Sequence, residues 1–359
     1  MAQNPLGLKR FGPITFAVTD AEKQRDRLCE MLGMVPFCEK TKLYGIRCVD
    51  TIFYLDGSPQ GKALATQYGN HIREIGLYVE DSKLAFTEAK KRAPDLVTLC
   101  NETGAIIIQA PHDGEVFFKL TEVDQSFHAD MKPLAYTPPE HPAFQRIDHI
   151  VTNTQTIKPV IDFMHQVFGM EKVNEFTIQV KTDQFQASLF SEVMGLHGTD
   201  SEILFPVNEP LPGDDESQIP AQLREMGRSH AQHIALATDD IISSIRALKQ
   251  KGLGFLEFRN EEHAKQYYQE VPDRLGKITV EEAMQTLRDL GILVDKCGEG
   301  YLLQLFSKRM FPGRSVPFIE IIQRASDVIG CFGDGNFAAL AESLEHSMRQ
   351  ERLTKGEQS

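Results

Sequence analysis

The chain has 359 residues, 41% hydrophobic and 25% charged, which excludes a mostly disordered chain and suffices for two domains without metal or disulfide staples. Lysine and arginine total 38 against 51 aspartates and glutamates, a net charge of −13 with no basic cluster, which argues against nucleic acid and anionic membranes as partners. No apolar run reaches the ~20 residues of a membrane span, and the first thirteen residues lack a basic-then-apolar leader, so a cytoplasmic protein is expected.

Taken in chain order, the elements repeat. The first strand, at Arg10-Phe-Gly-Pro-Ile14, leads into a helical stretch that stops at Leu32-Gly33-Met34. A later strand, from His71-Ile-Arg-Glu-Ile75, runs through Glu80-Asp81 into an amphipathic basic helix over 82–92. Residues 1–127 are expected as a first domain. Residues 128–145, with Pro133, Pro138, Pro139 and Pro142, are expected as a linker. The pattern then restarts. Arg146-Ile-Asp-His-Ile150 leads to Phe168-Gly169-Met170 with the same arginine-to-glycine separation as the first half, 23 residues.

Ile147, His149 and Val151 alternate onto one strand face, and Val160, Phe163, Met164, Val167 and Phe168 make one helical stripe. His230-Ala-Gln-His-Ile234 through Asp239-Asp240 matches the His71 stretch without a gap and continues into a helix over 241–251. A charged segment at about 259–289 has no counterpart and reads as a helical insertion. The turn Gly333-Asp-Gly-Asn336 opens a final helix over about 336–353, with Phe337, Leu340, Ala341, Leu344 and Met348 on one stripe. The fold expected is α+β: tandem βαβββ modules in two related halves plus a C-terminal helix, with 146–359 as the second domain. The six cysteines, Cys29, Cys38, Cys48, Cys100, Cys297 and Cys331, show no C-x-x-C spacing and are expected as reduced, mostly buried thiols.

Duplication supplies an internal comparison. In register, His149 falls opposite Pro13, His233 opposite Glu74, and Glu320 opposite Lys119. Singly, each residue has a plainer explanation. A strand histidine is most often a hydrogen-bonded core residue, and an arginine would satisfy a buried Glu320 as well as a metal would. Jointly, all three sit at corresponding strand positions and all three change in the other half, so one half could hold a divalent metal and the other could not. Two imidazoles and one carboxylate leave three coordination positions open, which suits non-haem Fe(II) with a chelating substrate and dioxygen. The residue types alone also admit a catalytic zinc; without cysteine ligands a structural zinc site is not expected. Gly333-Asp-Gly-Asn-Phe lacks the Lys-Ser/Thr of a phosphate loop, and no nucleophile elbow is present.

Seven motifs in order carry a resemblance: Arg146-Ile-Asp-His-Ile-Val, Pro206-Val-Asn-Glu-Pro, Glu216-Ser-Gln-Ile, Gln232-His-Ile-Ala-Leu, Tyr301-Leu-Leu-Gln-Leu-Phe, Phe318-Ile-Glu-Ile-Ile-Gln-Arg and Phe332-Gly-Asp-Gly-Asn-Phe. From about Arg146 to Leu353 the chain resembles the 4-hydroxyphenylpyruvate dioxygenases of the vicinal-oxygen-chelate superfamily; the first half matches only in architecture and near Gly33-Met34. The resemblance implies open-barrel halves and one Fe(II) per subunit on His149, His233 and Glu320. It implies Phe306 and Phe332 sandwiching the substrate ring, with Gln218, Gln232, Gln304, Asn208 and Ser191 as polar pocket positions, the three glutamines orienting the substrate. It implies Asn336 and Phe337 at the start of a helix that closes the pocket, and a homodimer or homotetramer. The reaction implied converts 4-hydroxyphenylpyruvate and dioxygen to homogentisate and carbon dioxide, with the substrate's own 2-oxo acid as chelator and co-reductant. Pro206, Asn208 and Phe337 together favour this over the sister reaction, which gives 4-hydroxymandelate from the same substrate. Another chelate-superfamily enzyme, or a metal-free binding module of the same fold, are the further alternatives.

Overall fold

A computed structural model describes residues 4–100, 103–110, 116–122, 127, 131–181, 186–196, 203–215, 217–326, 328 and 330–354. Expectations for Glu216, for 128–130 of the linker and for the 355–359 tail lie outside the described residues.

The first half opens with β1 (Leu8–Ala17), α1 (Ala21–Leu32), β2 (Val35–Lys40), β3 (Leu43–Cys48) and β4 (Thr51–Asp56). After α2 (Pro59–Tyr68) come β5 (His71–Val79), α3 (Ser82–Arg92), β6 (Val97–Leu99), β7 (Ile106–Gln109) and β8 (Phe117–Glu122). A short strand, β9 (Lys132–Pro133), pairs with β2 at the sheet edge. The second half repeats the order with β10 (Arg146–Asn153), α4 (Lys158–Phe163), β11 (Glu171–Lys181), β12 (Gln186–Gly195) and β13 (Leu204–Glu209). Then follow α5 (Gln218–Met226), β14 (His230–Ala237), α6 (Ile241–Gln250) and the inserted α7 (Glu261–Leu275) and α8 (Met284–Leu290). β15 (Leu293–Cys297), β16 (Gly300–Phe306), β17 (Phe318–Ala325) and α9 (Phe337–Thr354) complete the chain. The result is two curled mixed sheets, ordered β6-β7-β8-β5-β1-β4-β3-β2-β9 and β11-β12-β13-β10-β14-β17-β16-β15.

The repeated dipeptides are helix caps. Gly33 ends α1 with φ +68°, and Gly169 ends the π-type turn that extends α4 with φ +69°, a left-handed conformation that glycine adopts without a Cβ penalty. Asp81 and Asp240 cap α3 and α6 by accepting from backbone N–H groups of the first turn. The strand registers repeat as well. Glu74 stands opposite Phe117 and Gly76 opposite Lys119, just as His233 stands opposite Phe318 and Ala235 opposite Glu320. Ile14 pairs with Ile75 as Ile150 pairs with Ile234. The comparison of Pro13, Glu74 and Lys119 with His149, His233 and Glu320 is therefore a comparison of like positions.

One apolar cluster runs through both halves. Phe11 meets Phe205 edge-on at 5.2 Å, and Phe118 packs against Phe163, Phe168 and Phe205. The proline-bearing segment before β10 is anchored rather than loose: Phe144 is fully buried and its carbonyl accepts from the Cys48 thiol. On the other face of the first sheet, Tyr54, Tyr78, Phe127, Cys38 and Met131 cluster together. Tyr78 shares a face with Glu74 by strand alternation, and the Phe127 ring comes within 2.8 Å of where a Cβ on Gly12 would stand. The first half fills with its own aromatic side chains the face that the second half leaves open.

One expectation is corrected. Cys297 and Cys331 form a disulfide, so not all six cysteines are reduced thiols; Cys29, Cys38, Cys48 and Cys100 are free. β16 pairs antiparallel with both β15 and β17, so the chain beyond Ala325 leaves the sheet at the end where Cys297 lies. Linear spacing does not show this. Among the described residues, no helix is long and apolar enough to cross a membrane.

Equivalent histidines open β5 and β14. His71 donates Nδ1–H to the Gly69 carbonyl at 2.7 Å, and His230 does the same to Arg228 at 3.1 Å. Both rings are buried, and neither Nε2 has a partner among the described residues. Burial pushes both down to about 4, with the cation of Arg228 acting in the same direction. The folded state thus favours the neutral rings, whereas the unfolded chain protonates first as pH falls below about 6.5. Stability is full above pH 6.5 and declines between 6.5 and 4, by up to about 3 kcal/mol per histidine. Denaturant titrations at pH 7.0 and 4.5 should show this slope, and the double variant His71→Asn/His230→Asn should flatten it. A slope unchanged in the double variant would assign the acid sensitivity elsewhere.

Candidate metal centre

Three adjacent strands of the second sheet deliver the candidate ligands: His149 from β10, His233 from β14 and Glu320 from β17. All three are buried, and their donor atoms lie within 4.8 Å of one another. Glu320 Oε2 is 3.2 Å from His149 Nε2 and 3.3 Å from His233 Nε2. Each imidazole is held from behind by the residue before it. His149 Nδ1 bonds to the Asp148 carboxylate at 2.7 Å, and His233 Nδ1 to the Gln232 amide oxygen at 2.9 Å. A carboxylate and an amide oxygen only accept, so each ring carries a proton on Nδ1 and turns Nε2 towards Glu320. This is the tautomer that ligation needs.

The amide of Gln232 is itself fixed. Its Nε2 donates to Gln222 Oε1 at 3.0 Å, and that oxygen also accepts from Asn153 Nδ2 at 2.8 Å. Asn153 Oδ1 in turn accepts from Asn208 Nδ2 at 3.1 Å. Burial alone would disfavour the charge on Glu320, but His149 and His233 hold its carboxyl below the usual range. Burial pushes His233 down in spite of Glu320. At Asp148, burial is outweighed by the Arg324 guanidinium, which holds the carboxyl well below the usual range.

The centre opens into a cavity with about 470 Å³ of atom-free space. His149, His233 and Glu320 line it beside Gln218, Gln232, Gln304 and Asn208. Its apolar wall is Phe306, Phe332, Phe337, Phe176, Leu189, Val151 and Pro206, joined by Leu340 and Leu344 of α9. Phe332 meets the His149 ring edge-on at 4.9 Å, Phe306 meets the His233 ring at 5.8 Å, and Phe337 stacks on Phe176 at 4.7 Å. The buried side-chain oxygens of Gln218 and Gln304 have no partner among the described residues. Unsatisfied buried acceptors beside an open cavity are the kind of group a polar ligand completes. Gly333, with φ +73°, is required here, because a Cβ would stand 2.2 Å from the Gln304 oxygen.

Two expected pocket residues stand elsewhere. Ser191 is fully buried opposite Asn208 in the β12–β13 pairing and does not line the cavity. Asn336 is fully buried behind the wall, where its Oδ1 accepts from Tyr267 of α7 at 2.5 Å. Asn336 fastens the start of α9 to the insertion. Gln232 lines the cavity, but both ends of its amide are committed to His233 and Gln222, so it orients the His233 imidazole. Sequence reasoning missed Phe176, Leu189, Gln222, Asn153, Asp148 and Arg324. Asp148 carried a local signal, adjacency to His149, and Arg324 stood in one motif with Glu320, four residues on; the others reach the site through tertiary packing.

The donor set fits a divalent metal: two imidazoles in the ligating tautomer, one carboxylate and an open side towards the cavity. Residues 146–274 match the profile of the Glyoxalase/Bleomycin resistance protein/Dioxygenase superfamily. A 4-hydroxyphenylpyruvate dioxygenase from Aspergillus fumigatus is 31% identical over 298 residues, covering 78% of this chain and 71% of that one. This chain belongs to the 4-hydroxyphenylpyruvate dioxygenase family. Within the family, the Sus scrofa 4-hydroxyphenylpyruvate dioxygenase is 29% identical over 93% of this chain and 90% of its own. Protein MelA of Shewanella colwelliana is 29% identical over 96% of each chain. A triple mutant of 4-hydroxymandelate synthase from Streptomyces coelicolor shares the fold, with TM-score 0.78, 20% identity and coverage of 95% of this chain and 99% of that one.

Proposed function

We propose that the chain is a non-haem Fe(II) dioxygenase that converts 4-hydroxyphenylpyruvate and dioxygen to homogentisate and carbon dioxide. The observation that carries this reading is the His149–His233–Glu320 cluster opening onto a cavity lined by phenylalanines and by two glutamines whose amide oxygens have no partner among the described residues. Residues 146–359 are the catalytic half, and the first half carries no counterpart of the ligand set. An iron(II) ion held by the three side chains supplies the one-electron chemistry that ground-state dioxygen requires.

The protein's own share is orientation and exclusion. Asp148 and Gln232 keep both imidazoles in the ligating tautomer. Phe306, Phe332 and Phe337 offer ring faces and edges to an aromatic substrate. Gln218 and Gln304 supply acceptors for a phenolic hydroxyl, whose loss would leave them unpaired and so discriminates against a substrate without it. α9 lines the cavity with Leu340 and Leu344 and keeps water from the reacting 2-oxo acid.

Anaerobic loading with Fe(II), then 4-hydroxyphenylpyruvate and air, tests the reading. The expected product is homogentisate with one carbon dioxide per dioxygen consumed. 4-Hydroxymandelate is an isomer of homogentisate, so chromatography rather than mass must separate them; its appearance would replace ring hydroxylation by side-chain hydroxylation. Iron bound without turnover would reject this substrate, and failure to bind iron would favour a metal-free binding module.

A further inference from the structure

We propose that Arg324 is a positioning residue that fixes the imidazole of His149 and the aromatic wall of the cavity with a single guanidinium. The inference rests on the metal reading given above. Arg324 lies on β17 four residues after Glu320, on the same strand face. Its Nε donates to Asp148 Oδ2 at 2.9 Å and its Nη2 to Asp148 Oδ1 at 2.7 Å, a bidentate fork. The same Oδ1 accepts from His149 Nδ1. The remaining nitrogen, Nη1, donates to the Cys331 carbonyl at 2.6 Å, and the guanidinium carbon lies 5.7 Å from the centre of the Phe332 ring. Phe332 closes the circuit by meeting the His149 ring edge-on.

The physical reasons for the arrangement are separable. Asp148 is almost fully buried, and both of its oxygens are occupied, Oδ2 by Arg324 and Oδ1 by Arg324 and His149 together. While charged the carboxylate can only accept, so Nδ1 of His149 carries a proton and Nε2 turns towards Glu320. The fork therefore fixes the Asp148 carboxylate in place and, through its Oδ1, the orientation of the His149 ring. The bond to Cys331 and the face over Phe332 work through shape, since they need a planar group with a third donor, which lysine cannot supply. His233 is held differently, by the neutral amides of Gln232 and Gln222. The two ligands thus answer to different substitutions.

The test is Co(II) titration of the parent, Arg324→Gln and Arg324→Lys, followed by cobalt d–d absorption. Each protein is also assayed for KM after Fe(II) loading. Arg324→Gln is expected to bind Co(II) 10- to 100-fold more weakly, at roughly the cost of losing an outer hydrogen-bonding partner of a metal ligand. Arg324→Lys is expected to recover most of the Co(II) affinity by keeping a cation beside Asp148, yet to show a raised KM because Phe332 is no longer held. That split is the signature, because a purely structural ion pair would shift unfolding without separating metal affinity from KM. If Arg324→Gln does not fold, Asp148→Asn/Arg324→Gln removes both charges together and is expected to fold and still bind Co(II) more weakly. Parental Co(II) affinity in Arg324→Gln or in the double variant would overturn the proposal, as would equal KM in Arg324→Lys and the parent. A parent that binds no Co(II) would instead overturn the metal reading, and this one with it.

Discussion

Replacing His233 by alanine is expected to abolish stoichiometric metal binding and to lower turnover on the order of a thousandfold or more, while the chain stays folded. His233 is one of three donors, and removing it leaves only His149 and Glu320. Two donors neither fix a divalent ion nor aim its open positions at the cavity. The fold should tolerate the change. The ring stacks on Phe318 at 4.8 Å and meets Phe306 edge-on at 5.8 Å, but it also lines the cavity, so truncation enlarges existing space more than it opens a new void in the core. Loss of the ring also leaves Gln232 Oε1 without its donor, a cost of about 1 kcal/mol. The checks are metal per chain by atomic absorption, thermal unfolding, and dioxygen consumption with 4-hydroxyphenylpyruvate. A variant that retains one metal per chain and parental turnover would remove His233 from the site.

Phe118→Ala is expected to have the largest effect on stability, about 3–5 kcal/mol. The Phe118 ring is 3% exposed on β8 of the first half, yet three of its ring contacts, Phe163, Phe168 and Phe205, belong to the second. Its loss opens a void in the one cluster that runs through both halves. The consequence is specific: unfolding should stay a single transition at lower denaturant, with metal binding and first-half structure lost together. Two separated transitions, with only the first half shifted, would show that the halves fold independently and would contradict the shared core.

The repeated motifs of both halves are legible because they are local. Gly33 and Gly169 read as stops from their place after a helical stripe, and Asp81 and Asp240 as starts from their place before one. The gapless repeat then puts His149, His233 and Glu320 in register with Pro13, Glu74 and Lys119, and the pairing of β14 with β17 repeats that of β5 with β8 residue for residue. The inserted helices are legible for a related reason, as charged, periodic sequence without a counterpart.

What the sequence determined by itself is the pair of halves, the caps that bound their helices and the three residues that cluster in the candidate centre, because strand alternation and helix capping act over a few residues and survive duplication in register. Only the tertiary structure decided which polar groups are free to meet a ligand. Gln218, Gln232 and Gln304 are chemically identical in the sequence, yet Gln232 is spent on His233 and Gln222 while the oxygens of the other two have no partner among the described residues. Asn336 was placed by Tyr267, 69 residues away, and Cys331 by Cys297 across two hairpins. Arg324 reaches Asp148 from 176 residues away. A buried polar group takes whichever partner the packing brings within about 3 Å, and that partner is set by sheet order and register over the whole half.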